Sequence, residues 1–170
     1  GEKCNCEPYY FYNDYSYQKR NSQCGMYAIH FINSMGYVCE EIVITDAWLN
    51  IGAKGAVLPH HVHANSYISG TYYVNFDPKL HTNLSFCNDR LSIEGKTSPF
   101  FSLPNSKNQT DYNQRIFSVK CIESQVLFWR SNLLHGFQQP NIGDNRISLS
   151  FNIMPKVCSD GNIYSFTVSE

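Results

Sequence analysis

Positive charge is in short supply: 13 Lys and Arg stand against 14 Asp and Glu, giving a formal net charge of −1, and like charges form no block anywhere in the chain. Without a basic surface there is no sequence-independent attraction to phosphate, which argues against a nucleic-acid partner. Apolar runs are short as well. None approaches the roughly 18 residues of a membrane span, and the polar opening Gly1-Glu-Lys-Cys4 lacks the core of a signal peptide, so a soluble, cytoplasmic protein with no membrane partner is expected. Paired cysteines are missing too. The seven Cys (4, 6, 24, 39, 87, 121, 158) are scattered and odd in number, with no Cys-x-x-Cys unit, which indicates neither a disulfide framework nor a zinc ribbon. Cys4-Asn-Cys6 is the one close pair, and no second pair stands at a zinc-finger distance from it.

In place of charge the chain carries aromatic surface. With 12 Tyr, 11 Phe and 2 Trp, ring packing must supply much of the core of a β-leaning globular protein. The 170 residues suit one domain. Residues 1–20, dense in Tyr and Asn, read as a surface arm. Over 22–45 come a helix and a leading strand: Met26, Ala28, Ile29, Phe31 and Ile32 fit one face of a helix from Ser22 to Met35, with Gly36 as its stop. From 46 to 154 strand-like runs alternate with turn chemistry such as Gly52-Ala-Lys-Gly55 and Pro140-Asn-Ile-Gly-Asp144, and 155–170 offer a C-terminal strand. Residues 88–112 are turn-rich and patternless, and a loop of that length is expected to border a site. One helix followed by eight or more short strands predicts a mainly β fold, a double-stranded β-helix of the jelly-roll, cupin-like kind.

Three of the six histidines fall within four residues, His60-His61-Val62-His63. In an extended strand residues two apart point the same way, so His61 and His63 can present two imidazoles to one metal ion. The plain alternative is a pair of strand histidines facing water. A third ligand must come from elsewhere, and His135 is the best candidate; Arg146 follows it by eleven residues. The short 138–145 connection predicts that Arg146 returns beside His135 as a hairpin partner. In the strand that follows, Arg146, Ser148, Ser150 and Asn152 share one face and Ile147, Leu149, Phe151 and Ile153 the other, so a polar cavity wall would be backed by an apolar layer. A guanidinium beside a serine hydroxyl, near an imidazole-bound metal, suits a dicarboxylate chelated at one end and ion-paired at the other. His60, His81 and the helical His30 lack such support and are expected to be structural.

Taken together, His61-Val-His63, His135 and Arg146-Ile-Ser148 resemble, in order and spacing, the pattern of the iron(II)- and 2-oxoglutarate-dependent oxygenases. Ser69-Gly-Thr-Tyr-Tyr73, Leu134-His-Gly136 and Arg146-Ile-Ser-Leu-Ser-Phe-Asn152 are similar to a branch of that superfamily known largely from genomes, and Asn50 resembles the Asn that touches 2-oxoglutarate in the nucleic-acid demethylating branch. The likeness spans roughly 46–154. It implies a jelly roll, Fe(II) held by His61, His63 and His135 as the catalytic centre, and 2-oxoglutarate bound with the help of Arg146, Ser148, Asn50, Tyr72 and Tyr73. It also implies a dioxygenase that hydroxylates an organic or protein substrate. In one respect the chain departs from the pattern: His63 stands where the usual facial triad has Asp or Glu. Two further readings remain open, a cupin-like three-histidine metalloenzyme that does not use 2-oxoglutarate and a noncatalytic jelly-roll binding module.

Overall fold

The computed structural model describes residues 7–10, 23–87, 108, 116–159 and 163–166. The Cys4–Cys6 pair and nearly all of the 88–112 loop lie outside the described residues, so neither expectation meets a structural observation. The predicted helix is present as α1, Gln23–Ser34. Ala28 and Ile32, one turn apart, are buried, with Cys24, Ile29, Phe31 and Met35 packed around them. Met26, assigned to that face from the sequence, is instead exposed, because its position turns it away from the Ala28–Ile32 stripe. Gly36 ends the helix at φ +88°, a left-handed conformation that closes the last turn through a Gly36 N–H bond to the Asn33 carbonyl at 3.0 Å. No helix among the described residues is long and apolar enough to cross a membrane.

The remaining elements are strands: β1 Glu7–Tyr10, β2 Ile42–Gly52, β3 Leu58–His61, β4 Ile68–Asn75, β5 Ser85–Cys87, β6 Ile116–Ser118, β7 Val126–Arg130, β8 Leu134–Phe137, β9 Arg146–Pro155, β10 Val157–Ser159 and β11 Ile163–Ser165. They form a five-stranded sheet in the order β1-β2-β9-β4-β7, a four-stranded sheet in the order β3-β8-β5-β6, and the hairpin β10-β11. This is the two-sheet jelly roll that the strand pattern predicts. Strand β9 shows why it holds. Phe151 and Ile153 on one face pack with Ile68 against the buried face of α1, while Arg146, Ser148 and Ser150 on the other line an internal cavity. A second cluster, Tyr73, Phe76, Leu84, Phe86, Cys121 and Trp129, joins β4, β5 and β7 through packed aromatic rings.

Three features differ from the sequence reading. Within the first 20 residues, expected as an arm, Glu7–Tyr10 extend the large sheet as an edge strand on β2. The runs before and after Thr45 form a single strand, β2, with a register shift between Ile44 and Asp46. The predicted hairpin between His135 and Arg146 does not form. Strand β8 is paired on both sides, by β3 and β5, so no edge is open to β9. The 138–145 connection crosses to the other sheet, tied down by Asn141 to Gly55 and Ala56 and by Ile142 to Leu80, and Arg146 pairs with Gly52 on β2.

Candidate metal centre

His61, the last residue of β3, pairs with His135 of β8, and their ring centroids are 4.4 Å apart. The pairing between these strands is irregular, and Gly136 makes it possible: a Cβ there would lie 2.5 Å from the Leu58 carbonyl oxygen and 2.8 Å from that of Pro59. His63 lies two residues beyond β3's His61, fixed by its N–H to the Ser131 carbonyl at 2.9 Å, with its ring 5.1 Å from each of the other two. One ring nitrogen of each histidine falls within 4.8 Å of the others, and among the described residues no Asp or Glu joins the group.

The second ring nitrogens decide the chemistry. His61 Nδ1 is 2.9 Å from the Pro59 carbonyl, His135 Nδ1 is 2.8 Å from the Leu133 carbonyl, and His63 Nδ1 is 2.6 Å from Asn152 Oδ1. Each oxygen accepts, which calls for the proton on Nδ1 and leaves the Nε2 lone pair free for a cation. At His135 the Trp129 indole N–H, which can only donate, also lies 3.2 Å from Nδ1, and the carbonyl contact is the shorter of the two. Burial, reinforced by the neighbouring imidazoles, drives His135 down to about 3, and burial also lowers His63, so these two imidazoles are neutral near pH 7.

The same cavity, about 80 Å³, contains the guanidinium of Arg146. Arg146 is only 6% exposed and is boxed by rings, with its central carbon 4.4 Å from the Phe137 centroid, 5.2 Å from Tyr73 and 5.6 Å from Phe76. Its Nη2 donates to the Tyr73 hydroxyl at 3.4 Å, but its buried Nε has no hydrogen-bond partner. Burial pushes the Tyr73 phenol well above its usual range, so it remains a neutral hydroxyl. A buried cation with an unpartnered Nε and no carboxylate among the described residues lining its cavity is costly unless an anion arrives.

Comparison with known proteins bears on this arrangement directly. The sequence profile of the family described as "Putative 2OG-Fe(II) oxygenase" matches residues 46–152, which include all three histidines and Arg146. The chain belongs to this 2OG-Fe(II) oxygenase family. Among solved structures, an oxidoreductase of the 2OG-Fe(II) oxygenase family from Burkholderia pseudomallei superposes with a TM-score of 0.52 at 11% identity, over 75% of this chain and 51% of that one. At that identity the likeness is one of fold, and this chain spans about half the length of that protein. A search of curated proteins gives no match.

For a 2OG-Fe(II) oxygenase the residues present fit both groups that the family name implies. Three converging imidazoles suit a divalent transition metal, and the partnerless Arg146 Nε suits a carboxylate. Of the co-substrate residues expected from sequence, Arg146, Ser148, Asn50 and Tyr73 line the cavity with the three histidines, Asn50 Nδ2 donating to Ser150 Oγ at 2.9 Å. Tyr72 does not. Alternation along β4 turns Tyr73 inward and leaves Tyr72 36% exposed on the opposite face. His60 bonds Ser85 Oγ at 2.9 Å, and His81 accepts from the Asp77 N–H at 3.0 Å and donates to the Asp144 carbonyl at 2.8 Å, which are structural roles. Sequence reasoning missed the partners that set the tautomers, Pro59, Leu133 and Asn152, and also the ring box of Phe137 and Phe76. Asn152 alone left a trace, as a member of β9's polar face.

Proposed function

We propose that this oxygenase is an iron(II)- and 2-oxoglutarate-dependent dioxygenase, a hydroxylase of an organic or protein substrate, with iron held by His61, His63 and His135. The observation that carries the reading is the buried Arg146 guanidinium, with an unpartnered Nε, sharing one cavity with three converging imidazoles. When bound, iron and 2-oxoglutarate would supply the oxidising chemistry, in which dioxygen is reduced, 2-oxoglutarate becomes succinate and carbon dioxide, and the substrate gains an oxygen atom. The protein's part is positional. Hydrogen bonds to Pro59, Leu133 and Asn152 hold each imidazole with its Nε2 lone pair free. The aromatic box keeps Arg146 away from water, where its attraction for a carboxylate is strongest. Ser148, buried two residues further along the same strand face, offers a hydroxyl to that carboxylate. Thr71 and Ser150 supply further polar wall, their hydroxyls 3.3 Å apart.

Anaerobic addition of iron(II) and then 2-oxoglutarate to the metal-free protein tests the reading. A visible absorbance band that needs both additions, and succinate formation once oxygen is admitted, are the expected results. Metal binding without any response to 2-oxoglutarate would leave the cupin-like three-histidine enzyme, and absence of metal binding would leave a noncatalytic jelly-roll module.

A further inference from the structure

Three neutral ligands leave the double charge of a metal ion uncompensated, and the structure holds a carboxylate one relay away. His63 Nδ1 lies 2.6 Å from Asn152 Oδ1, and Asn152 Nδ2 donates to Asp46 Oδ2 at 3.3 Å. The Asp46 carboxylate, which can only accept, fixes the orientation of the amide: its nitrogen faces Asp46 and its oxygen faces His63, with the Ser66 and Ser69 hydroxyls each 3.2 Å from that oxygen and Ser69 Oγ also 3.0 Å from His63 Nδ1. Ser131, buried, ties those two serines together at 2.6 Å and 2.9 Å. The backbone builds this chain of contacts. Asp46 sits directly opposite Asn152 in the β2–β9 ladder, and residues so opposed share a face. That pairing begins just after the register shift between Ile44 and Asp46, so the irregularity in β2 sets which residue stands across from Asn152.

We infer that Asp46 and Asn152 are positioning residues of the metal centre: Asp46 holds the amide, the amide oxygen holds His63 Nδ1–H, and negative charge reaches the ion through His63. The inference rests on the three-histidine reading above. It assigns to the outer shell the charge that the usual facial-triad carboxylate would provide directly. Asp46 also borders an open groove with Trp48, Val62 and Asn65, so solvent screens part of its charge and the effect belongs at the low end of what outer-shell partners contribute.

The test is nickel(II) binding to the metal-free full chain by calorimetry, which does not depend on turnover. Asp46→Asn keeps the size and removes the charge; its nickel affinity should fall about tenfold while the thermal midpoint of the metal-free protein stays with the parent's. Asn152→Asp in the Asp46→Asn background places the carboxylate directly on His63 and should return the affinity to the parent level or above, with the visible bands of the cobalt(II)-loaded protein returning alongside. Parent-like nickel affinity in Asp46→Asn overturns the relay, as does a loss that the second substitution fails to recover, because a merely structural Asp46 would not be replaced by charge at position 152. If Asp46→Asn alone does not fold, Asp46→Ser, alone and combined with Asn152→Asp, is read on the same two criteria. A parent protein that binds no nickel overturns the three-histidine centre itself and the relay with it.

Discussion

Arg146 meets two opposing terms in the metal-free protein. Its ring contacts with Phe137, Tyr73 and Phe76 stabilise it, while no carboxylate stands among the described residues that line its cavity. Arg146→Ala should therefore fold, yet lose about 2 to 5 kcal/mol of 2-oxoglutarate affinity, the range for removing one partner of a buried charge pair; an unchanged binding isotherm in the folded variant would remove the dicarboxylate from the reading. His81 provides the contrast. His81→Ala abandons two hydrogen bonds that close the 77–81 turn onto Asp144, and should lower stability by roughly 1 to 3 kcal/mol with metal affinity per folded molecule unchanged. His135→Ala, which removes one of the three imidazoles, should instead lower metal affinity sharply, and calorimetry reads both variants. At this scale the sequence was legible where residue type is scarce. Histidines two apart, the second just past the end of β3, and a lone Arg on a polar face carry information because few other roles suit them. Asp46 was not legible and Asn152 showed only as part of β9's polar face, since an Asn or Asp in a β-rich chain has too many ordinary roles, and choosing between Tyr72 and Tyr73 required knowing which face of β4 points inward.

Strand β3 reaches β8 only because residue 136 has no side chain. Gly136→Ala would drive a methyl group into the Leu58 and Pro59 carbonyl oxygens, which are backbone and cannot rotate aside. The strands must separate, so the variant should lose roughly 1 to 3 kcal/mol of stability and, unlike His81→Ala, also lose metal affinity, because His61 is carried away from His135. Chemical denaturation and nickel titration of one preparation check both. The alternating pattern of β9 was legible in the sequence, as expected for a strand with one apolar face. The partner of each strand was less readable. A short connection between 138 and 145 looks like a hairpin in any sequence, and only the pairing of β8 on both edges shows that the chain must cross over. Likewise β10 and β11 pair with each other outside both main sheets, a choice that no local pattern announces.

Over the whole molecule the buried histidines set an acid limit. Below the ordinary imidazole range the unfolded chain takes up a proton at position 135 that the folded chain refuses until about pH 3. The metal-free protein should therefore lose stability steadily as pH falls from about 6.5 toward 3, by up to roughly 1.4 kcal/mol per pH unit from this group, with His63 adding in the same direction. His135→Gln should flatten that slope in denaturation curves taken across the range. A different consequence follows from the crossing of the 138–145 segment. His61 and His135 belong to the four-stranded sheet, whereas Arg146, Ser148, Asn50 and Tyr73 belong to the five-stranded one. A short dianion gripped by the ion at one end and by Arg146 at the other would act as a rivet through both walls of the sandwich. Metal and 2-oxoglutarate should then tighten each other's binding by the same factor, and amide exchange should slow in β8 and β9 together when both are present but in neither alone to the same extent. In that state the two sheets would breathe as one plate.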